Sequence, residues 1–273
     1  MAVSTIAPIT ASRRTAGTDV LRELSHVLGA FLLYNVGRML AAKDLGHADA
    51  NAHDVVHVER WLRLPAEASL QTWALGHDWL VDLANRYYVS VHFPLTIAVL
   101  VWLYRYRRPM YTWAKRALLL ATGVALVFHV LMPVTPPRLL SSLGMVDTGH
   151  AGGMSIYQMP VLGSMANEYA AMPSLHVGWA LLLAVVLVSA CRTRWRWLWF
   201  LHPIATLFVV VSTANHYWLD GLAGSALVLA ALWLTHGIAS AQGQPAHGDG
   251  LHDLAAQASG RGGRRSTRTS GFA

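Results

Sequence analysis

The chain has 273 residues, of which 54% are hydrophobic and only 13% charged. That balance excludes an ordinary soluble domain and points to a protein that crosses a membrane several times. The formal charge of +7 does not indicate a nucleic-acid partner, because the basic residues stand beside apolar runs and in the C-terminal tail, where they set topology.

Residues 1–20 are rich in Ser, Thr and Ala and carry Arg13 and Arg14 without an apolar core. They read as a disordered cytoplasmic N-terminus rather than a cleavable leader, so the first apolar segment is expected to stay as an anchor. A bilayer span needs about 20 mostly apolar residues. Six such stretches follow, roughly residues 21–42, 85–104, 114–133, 174–191, 197–214 and 217–238. The expected fold is therefore all-α, a six-transmembrane-helix bundle occupying residues 21–239. Arg38 and Asn35 interrupt the first span.

Between the first two spans, VVHVERWLRL and LQTWALGHDWLVDLA place apolar residues at helical spacing with one polar face. They are expected to be short amphipathic helices on the membrane surface. Residues 134–173 form a long connection rich in Pro, Gly, Ser and Met; a loop of this length is usually functional. The short basic link CRTRWRW forces the fourth and fifth spans into an antiparallel hairpin, and STANHYW makes the next tight turn. The only cysteine, Cys191, excludes an internal disulfide and a cysteine-based metal site. Residues 240–273 are low-complexity and read as a disordered basic cytoplasmic tail.

Basic residues orient the bundle. Arg105, Arg107, Arg108, Lys115 and Arg116 mark one inward link, and Arg192, Arg194 and Arg196 the next. Both termini are then cytoplasmic. The 134–173 loop, the start of the 174–191 span and the STANHYW turn all face outward.

This orientation brings three separate segments to one depth. His176 opens an outward helix mouth in AMPSLHVGWA. His216 sits at the next outward turn, and Asp220 follows it by one helical turn on the same face. Arg138, in PVTPPRLL, lies just past the outer end of the third span. Two histidines, a carboxylate and an arginine suit phosphoryl transfer. An imidazole nucleophile needs one free lone pair and an acceptor for its other N–H, which Asp220 can offer His216. The leaving alkoxide needs a proton, which His176 can supply. The phosphoryl oxygens need donors: the fork of Arg138, the helix N-terminus at Pro173–Ser174 and the Ser174 hydroxyl. No metal is required by such a site, and no cofactor is expected.

AMPSLHVGWA and STANHYWLDGLAG resemble the second and third signature motifs of the type 2 phosphatidic acid phosphatase superfamily of six-helix membrane enzymes. PPR ahead of SLH and HYWLD is most similar to the inositolphosphotransferase-like branch, which includes fungal inositol phosphorylceramide synthase. The resemblance covers about residues 20–240. It implies that His216 is the phosphohistidine nucleophile, Asp220 its orienting partner, His176 the acid and Arg138 a phosphate ligand.

The chain also departs from the commoner phosphatases. Leu175 stands where they have glycine, and Val210 where their third motif has an arginine. Arg108–Pro109 mimics the first motif, but Val101 replaces its lysine and the pair falls on the cytoplasmic side. Arg38 and Arg86 are the candidates to restore the missing positive charge, since an intramembrane arginine is costly enough to imply a use. His92 could line the cavity, but a lone histidine on an aromatic-rich helix is more often a packing residue. His53 and His57 have metal-ligand spacing but no third ligand pattern beside them.

The resulting expectation is an integral enzyme of the plasma (inner) membrane that acts on a lipid phosphate or phosphodiester at the outer face. Water as the final acceptor makes it a phosphatase; a sugar or inositol hydroxyl makes it a phosphotransferase. A proton-relay transporter is disfavoured, because it needs titratable groups through the membrane depth.

Overall fold

The computed structural model describes residues 45–151 and 169–243, together with Glu23, Ser25 and Gly29. The helices are α1 (Leu45–Trp61), α2 (Glu67–Leu75), α3 (Asp78–Ser90), α4 (His92–Tyr106), α5 (Arg108–Leu131), the single turn α6 (Thr148–Ala151), α7 (Leu175–Ala190), α8 (Leu201–Ser212) and α9 (Trp218–Gly243). A 3₁₀ segment, Arg194–Phe200, runs directly into α8. Among the described residues there is no β-strand, only an isolated parallel bridge between Val134 and Ala170. The predicted first span, with Arg38, lies outside the described residues apart from three positions, as do residues 1–20 and 244–273.

Local chemistry sets the helix ends. Pro109 sits in the first turn of α5, where its missing N–H costs nothing, and Pro133 follows the last turn. Ser174 caps α7 by accepting the Val177 N–H. The predicted second span is not one straight helix. α3 and α4 meet at a 44° bend. Pro94 has no N–H for the Ser90 carbonyl, and its ring crowds that carbonyl, so the helix breaks one turn upstream.

The packed centre is α5 against α7 and α9. Ala114, Ala117 and Ala121 of α5 are fully buried at three- and four-residue spacing against Leu182, Leu183 and Val186 of α7 and Val228, Ala231 and Leu232 of α9. Small side chains on one stripe let the backbones approach. The outer faces are apolar too: Ile97, Val101, Leu131, Leu229 and Trp233 are exposed. A bundle that is apolar outside as well as inside is solvated by lipid.

Among the described residues, three helical stretches are long and apolar enough to cross a membrane: Arg108–Leu131, Arg194–Ser212 and Trp218–His236. The bent α3–α4 pair makes a fourth if it is a single span, and α7 is shorter.

The predicted amphipathic segments are helices α1 to α3, and each buries a polar side chain. Glu59 is 4% exposed, whereas Trp61 is 81% exposed. Glu67 and Gln71 are likewise buried, while Trp73 and Trp79 point outward. α1 buries Ala48, Ala52, Val55 and Val56 beside Glu59 and exposes His53, Asp54 and His57, whereas α2 turns its polar side inward; Trp61, Trp73 and Trp79 all face away from the protein. Gln71 holds the following loop through both amide ends, donating to the Val146 carbonyl and accepting from the Val146 N–H. Asn85 donates to the Thr148 carbonyl and accepts from the Thr148 hydroxyl.

Candidate active site

The two histidine motifs meet because α7 and α9 touch backbone to backbone. The Ser174 N–H donates to the Asp220 carbonyl at 2.9 Å. A Cβ on Gly224 would lie 2.1 Å from the Ser174 carbonyl oxygen, so only glycine fits there. The fully buried Ser174 thus spends its N–H on α9 and its hydroxyl on capping α7. The N–H groups of Leu175 and His176 take no partner among the described residues. They form an uncommitted donor pair at the positive end of α7.

His216 reaches the site on the turn that closes α8. The Asn215 N–H donates to the Val210 carbonyl and the Ala214 N–H to that of Val211, a Schellman arrangement with Ala214 at its left-handed position (φ 57°). Alanine is strained there. The strain persists because the Ala214 methyl is fully buried and its carbonyl accepts the Arg138 N–H at 2.9 Å. The imidazole Nδ1 of His216 faces two acceptors, the Ala171 carbonyl at 2.8 Å and Asp220 Oδ2 at 3.3 Å. Two acceptors on one nitrogen put the proton on Nδ1 and leave a lone pair on Nε2, which makes no hydrogen bond among the described residues. Asp220 is fully buried, and the same Oδ2 also accepts the Tyr217 N–H at 2.9 Å.

His176 lies across from it, with ring centroids 5.7 Å apart. Tyr88 of α3 stacks on the other side of the His176 ring at 4.6 Å. Arg138 is buried beside the same turn. Its Nε donates to Asn215 Oδ1 at 3.2 Å, and its terminal nitrogen pairs with Asp147 at 3.5 Å. His216, Asp220, His176, Ser174 and Arg138 therefore come together. Arg86 does not join them. It is exposed on α3, two positions from Tyr88 and so on a different side of the helix. Arg108, of the misleading Arg-Pro pair, stacks on Tyr104 at the opposite end of α5.

A chain of this architecture, with two buried histidine motifs clasped at one end of a helix pair, matches a family model described as the PAP2 superfamily over residues 53–234. The chain belongs to the PAP2 superfamily. No curated protein and no solved structure matches it. Membership makes it a membrane protein of the phosphatase and phosphotransferase type.

Around this PAP2 motif pair the structure adds residues that sequence reasoning favoured as packing, as with His92, or did not single out. His92 is buried with its ring 4.8 Å from His176 and 6.5 Å from His202, whose Nδ1 meets the Tyr87 hydroxyl at 2.6 Å. The Nδ1 of His92 has no hydrogen-bond partner among the described residues. His129, at the end of α5, contacts the Pro173 carbonyl at 3.2 Å. The Tyr217 hydroxyl donates to the Thr135 carbonyl at 3.0 Å. Asn215, directly before His216, was visible in the sequence as a turn residue, and Asp147 as a loop acid. Nothing in the spacing tied either to Arg138.

Proposed function

We propose that this PAP2 protein is an integral membrane lipid phosphatase or phosphotransferase that works through a phosphohistidine on His216. The observation that carries this reading is the His216 ring, anchored at Nδ1 by Ala171 and Asp220 with Nε2 unbonded and His176 opposite. In the first half-reaction Nε2 donates its lone pair to phosphorus and the N–P bond forms. The P–O bond to the lipid alcohol breaks, and the departing oxygen takes a proton from His176. In the second, neutral His176 takes a proton from the incoming hydroxyl, whose oxygen displaces His216 from phosphorus. Arg138 and the N–H groups of Leu175 and His176 supply donors to the equatorial oxygens, with Ser174 setting their position. Arg38 remains the proposed additional cation. Neither half-reaction calls for a metal, so activity is expected to survive EDTA.

The lipid-solvated faces and the basic links support a six-span topology with the site extracytoplasmic. In this reading the α3–α4 pair is one bent span. The 16 residues of α7 span about 24 Å at 1.5 Å per residue, enough for a short span.

What attacks the phosphohistidine separates two readings. The likeness of PPR, SLH and HYWLD to the inositolphosphotransferase-like branch favours a transferase. The test is mass spectrometry of products from a defined lipid pool, with and without inositol. Free phosphate indicates hydrolysis and a lipid with an exchanged headgroup indicates transfer. Retention of wild-type rate by His216→Ala would overturn both.

A further inference from the structure

We infer that Glu59 is a positioning residue for this site, acting through the Leu219 N–H, and that it acts as one half of a carboxyl pair with Glu67 that shares a single proton. The inference rests on the phosphohistidine reading for its catalytic consequence, though not for the proton.

The first turn of α9 needs acceptors for its free N–H groups. Asp220, three residues after Tyr217, reaches back to the Tyr217 N–H, which is one half of a capping box. The other half is a side-chain acceptor for the second helical N–H, normally supplied by Ser, Thr, Asp or Asn at the cap. Tyr217 has no such oxygen, and its hydroxyl is committed to Thr135. Glu59 supplies it from α1, with Oε1 accepting the Leu219 N–H at 2.7 Å across 160 positions of sequence. Leu219 lies between His216 and Asp220, so this bond fixes the turn that aims the nucleophile.

Glu59 is itself fixed by the end of α1. The Leu64 N–H donates to the Glu59 carbonyl, and Arg63 takes the left-handed position (φ 56°) that turns the chain. Past that turn Glu67 opens α2, and its carboxyl is near enough to that of Glu59 to act on it. Both are more than nine-tenths buried, and among the described residues no donor reaches Glu59 Oε2 or Glu67 Oε1. Carboxylates only accept, so two of them buried together with oxygens that no donor reaches require a proton on one. The other ionisable groups facing the pair are Asp220, with His216 bonded beyond it, and Tyr217 and Asp49. Burial, and then the neighbouring Glu67, push the Glu59 carboxyl up to about 9, opposed by the Leu219 N–H.

The sign follows. An unfolded Glu titrates near 4.3. The folded pair keeps its proton to a higher pH, so its stabilising contribution is full below that value and is lost as pH rises through about 9. Deprotonation sets two buried charges against each other and loosens α2 from the cap.

The test uses the full chain in detergent. Melting temperature is followed from pH 6 to 10, and phosphatidic acid turnover over the same range. Wild type should lose melting temperature and kcat as pH passes about 9. In Glu67→Gln the amide donates to Glu59 without titrating and the raising effect of Glu67 is gone, so Glu59 should ionise at lower pH and the losses near pH 9 should flatten. Glu59→Leu should lower kcat by about 10²-fold with KM little changed, and Glu59→Gln, which keeps the acceptor, should restore it. A Glu67→Gln protein with the wild-type melting slope overturns the shared proton. A Glu59→Leu protein with wild-type kcat overturns the positioning role. Absence of turnover by wild type at every pH counts against the phosphohistidine reading, while the melting series still decides the pair.

Discussion

His216 differs from a catalytic imidazole held by one carboxylate, because the shorter of its two Nδ1 contacts goes to the Ala171 carbonyl. A backbone oxygen cannot be mutated away, so the tautomer should survive loss of the Asp220 charge. Where a carboxylate is the only orienting group, its amide variant loses about 10⁴ in kcat. Here Asp220→Asn is expected to lose only about 10- to 10²-fold in steady-state turnover of a lipid phosphate. By contrast, His176→Ala should lose about 10²- to 10⁴-fold, the usual range for a proton donor. Arg138→Lys keeps the charge but not the fork, and the Nε bond to Asn215 disappears. A loss of about 10²-fold in kcat is expected. At this scale His176, His216, Asp220 and Arg138 were legible, because SLH, HYWLD and PPR are compact patterns. Glu59 and His92 were not. A glutamate on a polar helix face and a histidine in an aromatic run look the same whether they face solvent, lipid or a catalytic ring.

At the element scale the site depends on how closely α9 approaches the start of α7. Gly224 meets Ser174 backbone, and Gly178 in turn would carry a Cβ 3.0 Å from the Gly224 carbonyl oxygen. Backbone cannot rotate away as a side chain does, so Gly224→Ala must separate the helices. The expected cost is about 3 kcal/mol, read as lower thermal stability in detergent, with loss of turnover because Ser174 and Asp220 part. The positions of most helices followed from apolar runs and their stop residues. The inward polar face of α2 and the burial of Glu59 on α1 did not. Amphipathic spacing identifies two faces but not which neighbour each meets, and here the acids cover the catalytic turn while the tryptophans are left outside. The bend at Pro94 was readable in principle, since proline excludes the i−4 bond wherever it falls inside a helix. A hydropathy window averages over it.

For the whole molecule, helix direction separates two ends. α7 runs from His176 toward the link with Arg192, Arg194 and Arg196, and α5 runs from Arg108 toward His129, which contacts Pro173. The histidines and the basic links thus lie at opposite ends of the bundle, as the positive-inside rule requires of an extracytoplasmic site. In a Cys191→Ser background, Trp61→Cys is expected to react with an impermeant maleimide on intact cells, and Arg194→Cys only after permeabilisation. The reverse pattern would place the chemistry in the cytoplasm.

By itself the sequence determined the class of molecule, the ends of most helices, the family motifs and the four side chains to which the proposed mechanism assigns the chemistry. These are properties of local runs: apolar length, capping, proline and short signatures. Only the tertiary structure decided which acceptor holds His216, why Gly224 admits no side chain, and that a glutamate 160 positions upstream caps the helix of the third motif. The reason is physical. A buried polar group takes its role from the partner opposite it, and that partner arrives through packing of distant segments that share no sequence pattern.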